Sequence, residues 1–166
     1  LLKTLGVEPP AEPQPAAPVR TAVEQAAGPW RRLEERAKAE AAALLKDVYT
    51  PGRRQALWLS VSGWLAKARV DPRDAADILK RLYYETGDED DLKTRGSAIV
   101  YTYAKAGHPD PRTAVAEALG VVPYAPSEAE QREIKGLSGI REIAAEVMGP
   151  HAAAELVRRL KAVLRR

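Results

Sequence analysis

Residues 51–70 read PGRRQALWLSVSGWLAKARV, and the stretch from Pro51 to Gly107 that they open decides the fold. Arg53 and Arg54 begin an apolar segment that carries Trp58 and Trp64 and closes on Lys67 and Arg69. Leu57, Val61, Trp64, Leu65 and Ala68 recur at helical spacing and share one face. Leu59 lies on the opposite side. A helix from about Gly52 to Arg69 is therefore expected to be buried on more than one side and to sit centrally. Gly63 inside it costs about 1 kcal/mol of propensity against alanine, which close approach of a neighbouring helix would offset.

The segments that follow carry their own punctuation. Asp71 caps a third helix, Pro72 takes its first turn and Asp74 sits three residues on. Ala75, Ile78, Leu79, Leu82 and Tyr83 form its apolar face, and Gly87 ends it. The run Asp88-Glu89-Asp90-Asp91 suits the positive end of a fourth helix, lined by Leu92, Gly96, Ile99, Val100 and Tyr103 and stopped by Gly107-His108-Pro109. Asp110-Pro111-Arg112 repeats the start signal before a short fifth helix that ends near Leu119-Gly120.

Upstream, Trp30, Leu33, Ala37, Ala41, Leu44, Leu45 and Val48 make one stripe. They predict a first helix from about Pro29 to Val48, started by Gly28-Pro29. Downstream, Val121–Pro126 is a loop, and Ser127 with Glu130 forms a capping box before a short helix to about Ile134. Ser138 caps a helix that runs to Gly149. A last helix begins at Pro150 and ends in the basic run RRLKAVLRR, where cations favour a helix C-terminus.

These elements predict an all-α fold, a compact bundle of about six to eight helices over residues 29–166, with its core over about 49–148 and a C-terminal helix at 150–165. Residues 1–28 read as a linker, because Pro9, Pro10, Pro13, Pro15 and Pro18 forbid helix and favour an extended, semi-rigid chain. A start at Leu1 rather than Met is expected of a piece of a longer protein.

Composition narrows the function. Hydrophobic residues make up 45% of the 166 positions, enough for a core, and Ala, Leu, Glu, Arg and Lys dominate. With no Phe, core aromatics must come from the three tryptophans and six tyrosines. The absence of Cys removes disulfides and thiolate ligands. No apolar run approaches the roughly 20 residues that span a bilayer, and no signal peptide is visible, so no membrane contact and a cytoplasmic location are expected.

Catalysis has little to stand on. His108 and His151 have no partner at metal-ligand spacing, and no Walker glycine loop occurs. Gly136-Leu137-Ser138-Gly139 is too short for a phosphate loop, although the helix N-terminus behind it can bind an anion. Consecutive carboxylates at Asp88–Asp91 diverge, so capping accounts for them better than metal binding. No catalytic residue, metal or cofactor is expected in this segment.

The net charge of +3 matches that of Pro51–Thr86 alone, where seven basic residues face four acidic ones. The candidate surface comprises Arg53, Arg54, Lys67, Arg69, Arg73, Lys80, Arg81, Lys93, Arg95 and Lys105. Arginine forks grip phosphate and stack on bases. Trp58, Tyr84 and Tyr101 fall off the main stripes of their helices and either stack unpaired bases or fill inter-helix grooves. Arg54 projects within about 60° of Leu57, toward the buried side. At the core's edge it must bond a carboxylate such as Asp77 or Glu85, or a ligand phosphate.

The order Gly52-Arg53-Arg54-Gln55, Leu57-x-Leu59-x-x-x-Gly63-x-Leu65, Ala75-x-x-Ile78-Leu79, Thr86-Gly87-Asp88, Arg95 and Thr102-Tyr103-x-Lys105 resembles the helix-bundle domain C-terminal to the catalytic core in primase-polymerases of plasmids, phages and mobile elements. Lys135-Gly136-Leu137-Ser138-Gly139-Ile140 resembles that family's G-L-x-x-[LI] segment. The likeness covers about Tyr49 to Val147. It implies a non-catalytic domain that binds single-stranded DNA template, and in some members nucleotide such as ATP or a dNTP, beside a catalytic primase-polymerase domain in the same chain. Carried over by position, Arg53, Arg54, Arg95, Tyr103 and Lys105 are the implied contacts. Many relatives place His or Asn where this chain has Arg54, which suits phosphate contact rather than base reading. A second reading is a helical protein-interaction module that docks a helicase or other replication partner, marked by an exposed apolar patch. A third, a stand-alone nucleotide hydrolase, would need a carboxylate-bound metal.

Overall fold

The first helix begins later than its apolar stripe predicts. The computed structural model describes residues 29–126 and 134–165, and in it residues 30–34 lie outside any helix. Backbone groups here find better partners outside a helix: the Arg31 N–H donates to the Arg69 carbonyl at 2.7 Å, and the Asp71 N–H donates to the Arg31 carbonyl at 2.8 Å. The Leu33 N–H donates to Asp74 Oδ2 at 2.8 Å, and the Arg32 guanidinium forks onto the same carboxylate at 3.0 and 3.1 Å. Asp74 is fully buried; burial alone would raise its pKa, but these bonds outweigh burial and hold it below the usual aspartate range. Helix α1 therefore spans Glu35–Leu45, followed by a 3-10 turn at Lys46–Val48.

The remaining helices follow the sequence closely. They are α2 (Arg54–Lys67), α3 (Pro72–Glu85), α4 (Leu92–Lys105), α5 (Pro111–Leu119), α6 (Leu137–Met148) and α7 (Pro150–Val163). Asp71 caps α3 by accepting from the Arg73 N–H, and Asp110 caps α5 by accepting from the Thr113 N–H. The expected capping box at Ser127 and the short helix after it lie outside the described residues, as do residues 1–28. Ser138 does not cap α6. Gly136 occupies that position, and the Ser138 hydroxyl donates to the Lys135 carbonyl.

The described residues form an all-α bundle around α2, which buries Leu57, Trp58, Val61, Trp64 and Leu65 together against α3, α4 and α6. Helices α2 and α4 lie side by side and parallel. Gln55 donates to the Thr94 carbonyl at one end, and Arg69 donates to the Ala106 carbonyl at the other. One core runs from Ala41 to Val163, so α1 and α7 share it with the central helices.

Glycines set how closely α6 approaches α2. A Cβ on Gly63 would lie 2.6 Å from Ile134 Cγ2 and 3.1 Å from the Gly136 nitrogen, so the neighbour is the turn into α6 rather than a helix side. Gly136 itself has φ 62° and ψ −132°, which disfavours any side chain. A Cβ on Gly139 would overlap Ser60 Oγ and press on Lys135 Cβ. Gly139→Ala gains about 1 kcal/mol of helix propensity but is expected to lose about 1–3 kcal/mol net through overpacking. Urea denaturation measures this, and an unchanged or higher midpoint would contradict the tight α2–α6 seam.

Candidate nucleic-acid interface

At the start of α2 the motif arginines enter a buried polar network. Tyr49 Oη donates to Asp88 Oδ2 at 2.6 Å and accepts from Trp58 Nε1 at 2.6 Å. Arg95 sends Nε to Asp88 Oδ2 at 2.9 Å and Nη2 to Asp88 Oδ1 at 3.1 Å. It also reaches Asp90 at 2.6 Å and Gln55 at 2.9 Å. The acidic run thus divides its labour. Asp91 caps α4 by accepting from the Lys93 N–H, as the sequence predicts, whereas Asp88 is a buried acceptor for two side chains and a backbone amide. Burial would raise the Asp88 pKa, but Arg95, Tyr49 and the Asp90 N–H hold it low; burial and Asp88 push the Tyr49 phenol well up.

This network corrects several expected contacts. Trp58 has no exposed surface and cannot stack a base, because its indole N–H is consumed by Tyr49 and its rings fill the core. Arg95 is 5% exposed with its whole fork occupied by protein acceptors, so it is unavailable to a phosphate. Tyr103 is fully buried, donates to the Val70 carbonyl at 2.7 Å and packs on Trp30. Arg54 does face the core's edge, but its partners are neither Asp77 nor Glu85. Its Nη1 lies 3.8 Å from Asp88, and its guanidinium sits 5.2 Å over the Tyr49 ring.

Most of the other expected cations are tied down as well. Arg53 pairs with Glu146 at 3.1 Å, Arg73 with Glu117 at 2.8 Å and with Asp71, and Arg81 with Glu35. Lys80 donates to the Ala118 carbonyl. Arg69, with φ 62°, lies 3.6 Å over the Trp30 ring and reaches the end of α4. Tyr84 is 63% exposed against the edge of Tyr83, free of any arginine partner in the described structure.

The opposite end of α2, about 20 Å away by helix rise, has a different character. There the turn 134–136 lies across α2 at Gly63 and leaves a cleft on each flank. One, of about 260 Å3, lies between α2 and α4 and is lined by Lys67, Thr102, Lys105, Lys135 and the Gly136 backbone, with small and aliphatic residues between. The other, of about 450 Å3, lies beside Trp64 and the first residues of α6. Lys67, Lys135 and Gly136 belong to both, and among the described residues no acidic side chain lines either. Lys67 and Lys105 have no carboxylate partner among the described residues; Lys105 rides 5.3 Å over the partly buried Tyr101 ring. Lys135 pairs with Glu142 at 2.9 Å.

Of the expected surface residues, this cleft gathers Lys67 and Lys105, with Tyr101 beside Lys105 and Arg69 reaching the adjoining carbonyl of Ala106. Arg53, Arg54 and Arg95 belong to the far end. Sequence reasoning placed Lys67 in the candidate surface but missed Lys135 and Thr102 as site residues. The signal was present in the Lys135-Gly136 pair before α6 and in Gly63, whose missing side chain admits that turn.

Fold and site define an all-α bundle with a lysine-rimmed cleft at one end of a parallel helix pair, lined by no carboxylate among the described residues. No family model, curated protein or solved structure matches the chain. Among the described residues no helix is long and apolar enough to cross a membrane, and no group of three or more His, Cys, Asp or Glu is placed to hold a metal.

Proposed function

We propose that this domain binds single-stranded DNA, as the non-catalytic template-handling module of a primase-polymerase whose catalytic domain belongs to the same polypeptide. The observation that carries the reading is the cleft at the end of α2 and α4. Lys67, Lys105 and Lys135 line it with no carboxylate among the described lining residues, and Tyr101 stands beside Lys105. Lys67 and Lys105, which have no carboxylate partner among the described residues, neutralise phosphates, Lys135 adds a third cation that it shares with Glu142, and the partly exposed Tyr101 offers an edge to an unpaired base. The motif resemblance points to the same function, while the contacts move from Arg95 and Tyr103 to the lysines.

A fluorescence titration with single-stranded oligonucleotides over a salt series tests this. Wild-type affinity is expected to fall steeply with salt. The triple variant Lys67→Ala, Lys105→Ala, Lys135→Ala is expected to flatten the slope of log K against log salt by roughly 0.7 per lost phosphate contact. Arg53→Ala, which removes one arm of an ion pair, is expected to change it less. Wild-type binding no tighter than to a neutral polymer, or an unchanged slope in the triple variant, would sink the proposal.

A further inference from the structure

One polar group at the cleft has no partner among the described residues. Thr102 is 1% exposed, and its hydroxyl oxygen makes no hydrogen bond to any of them. A threonine inside a helix ordinarily bonds back to a carbonyl one turn earlier, and a buried hydroxyl left unpaired is costly. Thr102 lines the smaller cleft together with Lys67, Lys105 and Gly136. Gly136 is the N-cap of α6, a helix of 12 residues that no side chain among the described residues caps, so the positive end of its dipole opens at the same place.

The lysines by themselves have a simpler explanation, since each sits at the C-terminal end of its own helix. That explanation leaves the Thr102 hydroxyl and the uncapped α6 unaccounted for. A tetrahedral oxyanion accounts for all of them. It accepts from the hydroxyl, takes two ammonium groups as point-charge partners, and meets the orphan amides of α6.

We infer that this cleft holds a discrete phosphate site formed by Thr102, Lys67, Lys105 and the N-terminus of α6. The inference deepens the DNA-binding reading by fixing where one phosphate sits, whether that phosphate belongs to a strand or to a free nucleotide. It differs from diffuse counterion attraction in that a neutral hydroxyl contributes. Isosteric removal of that hydroxyl changes no charge, so it separates the two.

The test is an amide chemical-shift titration of the protein with inorganic phosphate, with ionic strength held constant by chloride. Saturable shifts are expected at Gly136, Leu137 and Thr102. Thr102→Val is expected to weaken phosphate about tenfold, a charge-assisted hydrogen bond's worth, and Thr102→Ser to restore it. Lys105→Gln, at an exposed position that leaves the core intact, is expected to weaken it by a similar factor. No saturable shift at the start of α6, or equal affinity in the Thr102→Val and wild-type proteins, overturns the site.

Competition identifies the source. Displacement of phosphate by a 5′-hydroxyl oligonucleotide assigns the site to a backbone diester. Displacement only by thymidine monophosphate or a 5′-phosphorylated strand assigns it to a terminal phosphate. The two readings fail separately. Oligonucleotide binding that leaves α6 unmoved overturns the phosphate site alone, and saturable phosphate binding by a protein indifferent to single strands overturns the DNA reading alone.

Discussion

Asp88→Ala is expected to lose about 3–5 kcal/mol of folding stability, the scale for breaking a buried ion pair from one side. The reason is what it leaves behind. Arg95 is 5% exposed and sends two of its guanidinium nitrogens to Asp88, and Tyr49 donates its hydroxyl there too. Without the carboxylate, a buried cation keeps only Asp90 and Gln55 at its rim, and the phenol has no acceptor. A domain of this size holds about 5–15 kcal/mol in total, so the variant is expected to unfold at much lower urea.

Acid should produce a related effect in the wild type. The folded Asp88 pKa lies below its unfolded value: burial raises it, and Arg95, Tyr49 and the Asp90 N–H lower it further than burial raises it. A depressed folded pKa contributes stability that is complete above the unfolded aspartate pKa of about 4 and is lost as pH falls through the lower folded value. The stability gap between wild type and Asp88→Ala should therefore be full at neutral pH and narrow below about pH 4. Urea midpoints measured across that range check both statements. A gap that is small at neutral pH, or that widens in acid, would show that Asp88 is not the acceptor on which Arg95 depends.

Trp58→Ala is expected to cost about 3–5 kcal/mol, the range for deleting a buried aromatic. Trp58 is completely enclosed and donates to Tyr49 at 2.6 Å, so the loss combines a cavity with a broken hydrogen bond inside the Asp88 network. The same variant discriminates between a core residue and a base-stacking platform. As a core residue, Trp58 loses stability while the folded fraction keeps its affinity for oligonucleotide. Wild-type stability with lost oligonucleotide binding would restore the platform role. Trp58→Phe is expected to fall between, since it keeps most of the volume and loses the indole N–H.

The positions that misled have a common cause. Helical phase marks Arg54 as facing inward and it does, but phase on one helix cannot say which carboxylate waits there. Asp88 reaches it from the segment before α4. Trp58 lies off the stripe of Leu57, Val61 and Leu65, yet α2 is packed on several sides, so no face of it remains for solvent at that level. Arg95 and Tyr103 carry residue types suited to nucleic acid, but each spends its polar atoms on an internal acceptor.

The sequence by itself determined the class of fold, the central place of the helix after Arg53, and most of the helix boundaries. Those follow from local physics: apolar period, the Asp-Pro starts at Asp71 and Asp110, and the glycine stops. It also determined that the basic excess centres on residues 51–86. Only the tertiary structure decided which cations remain available. Parallel packing of α2 and α4 sets Arg54 and Arg95 against Asp88 at one end and Lys67 beside Lys105 at the other. The turn at Gly136, seated on Gly63, then adds Lys135 and a helix N-terminus from far along the chain. Pairing between charges depends on distances of a few ångströms across separate elements, which no periodicity along the chain encodes.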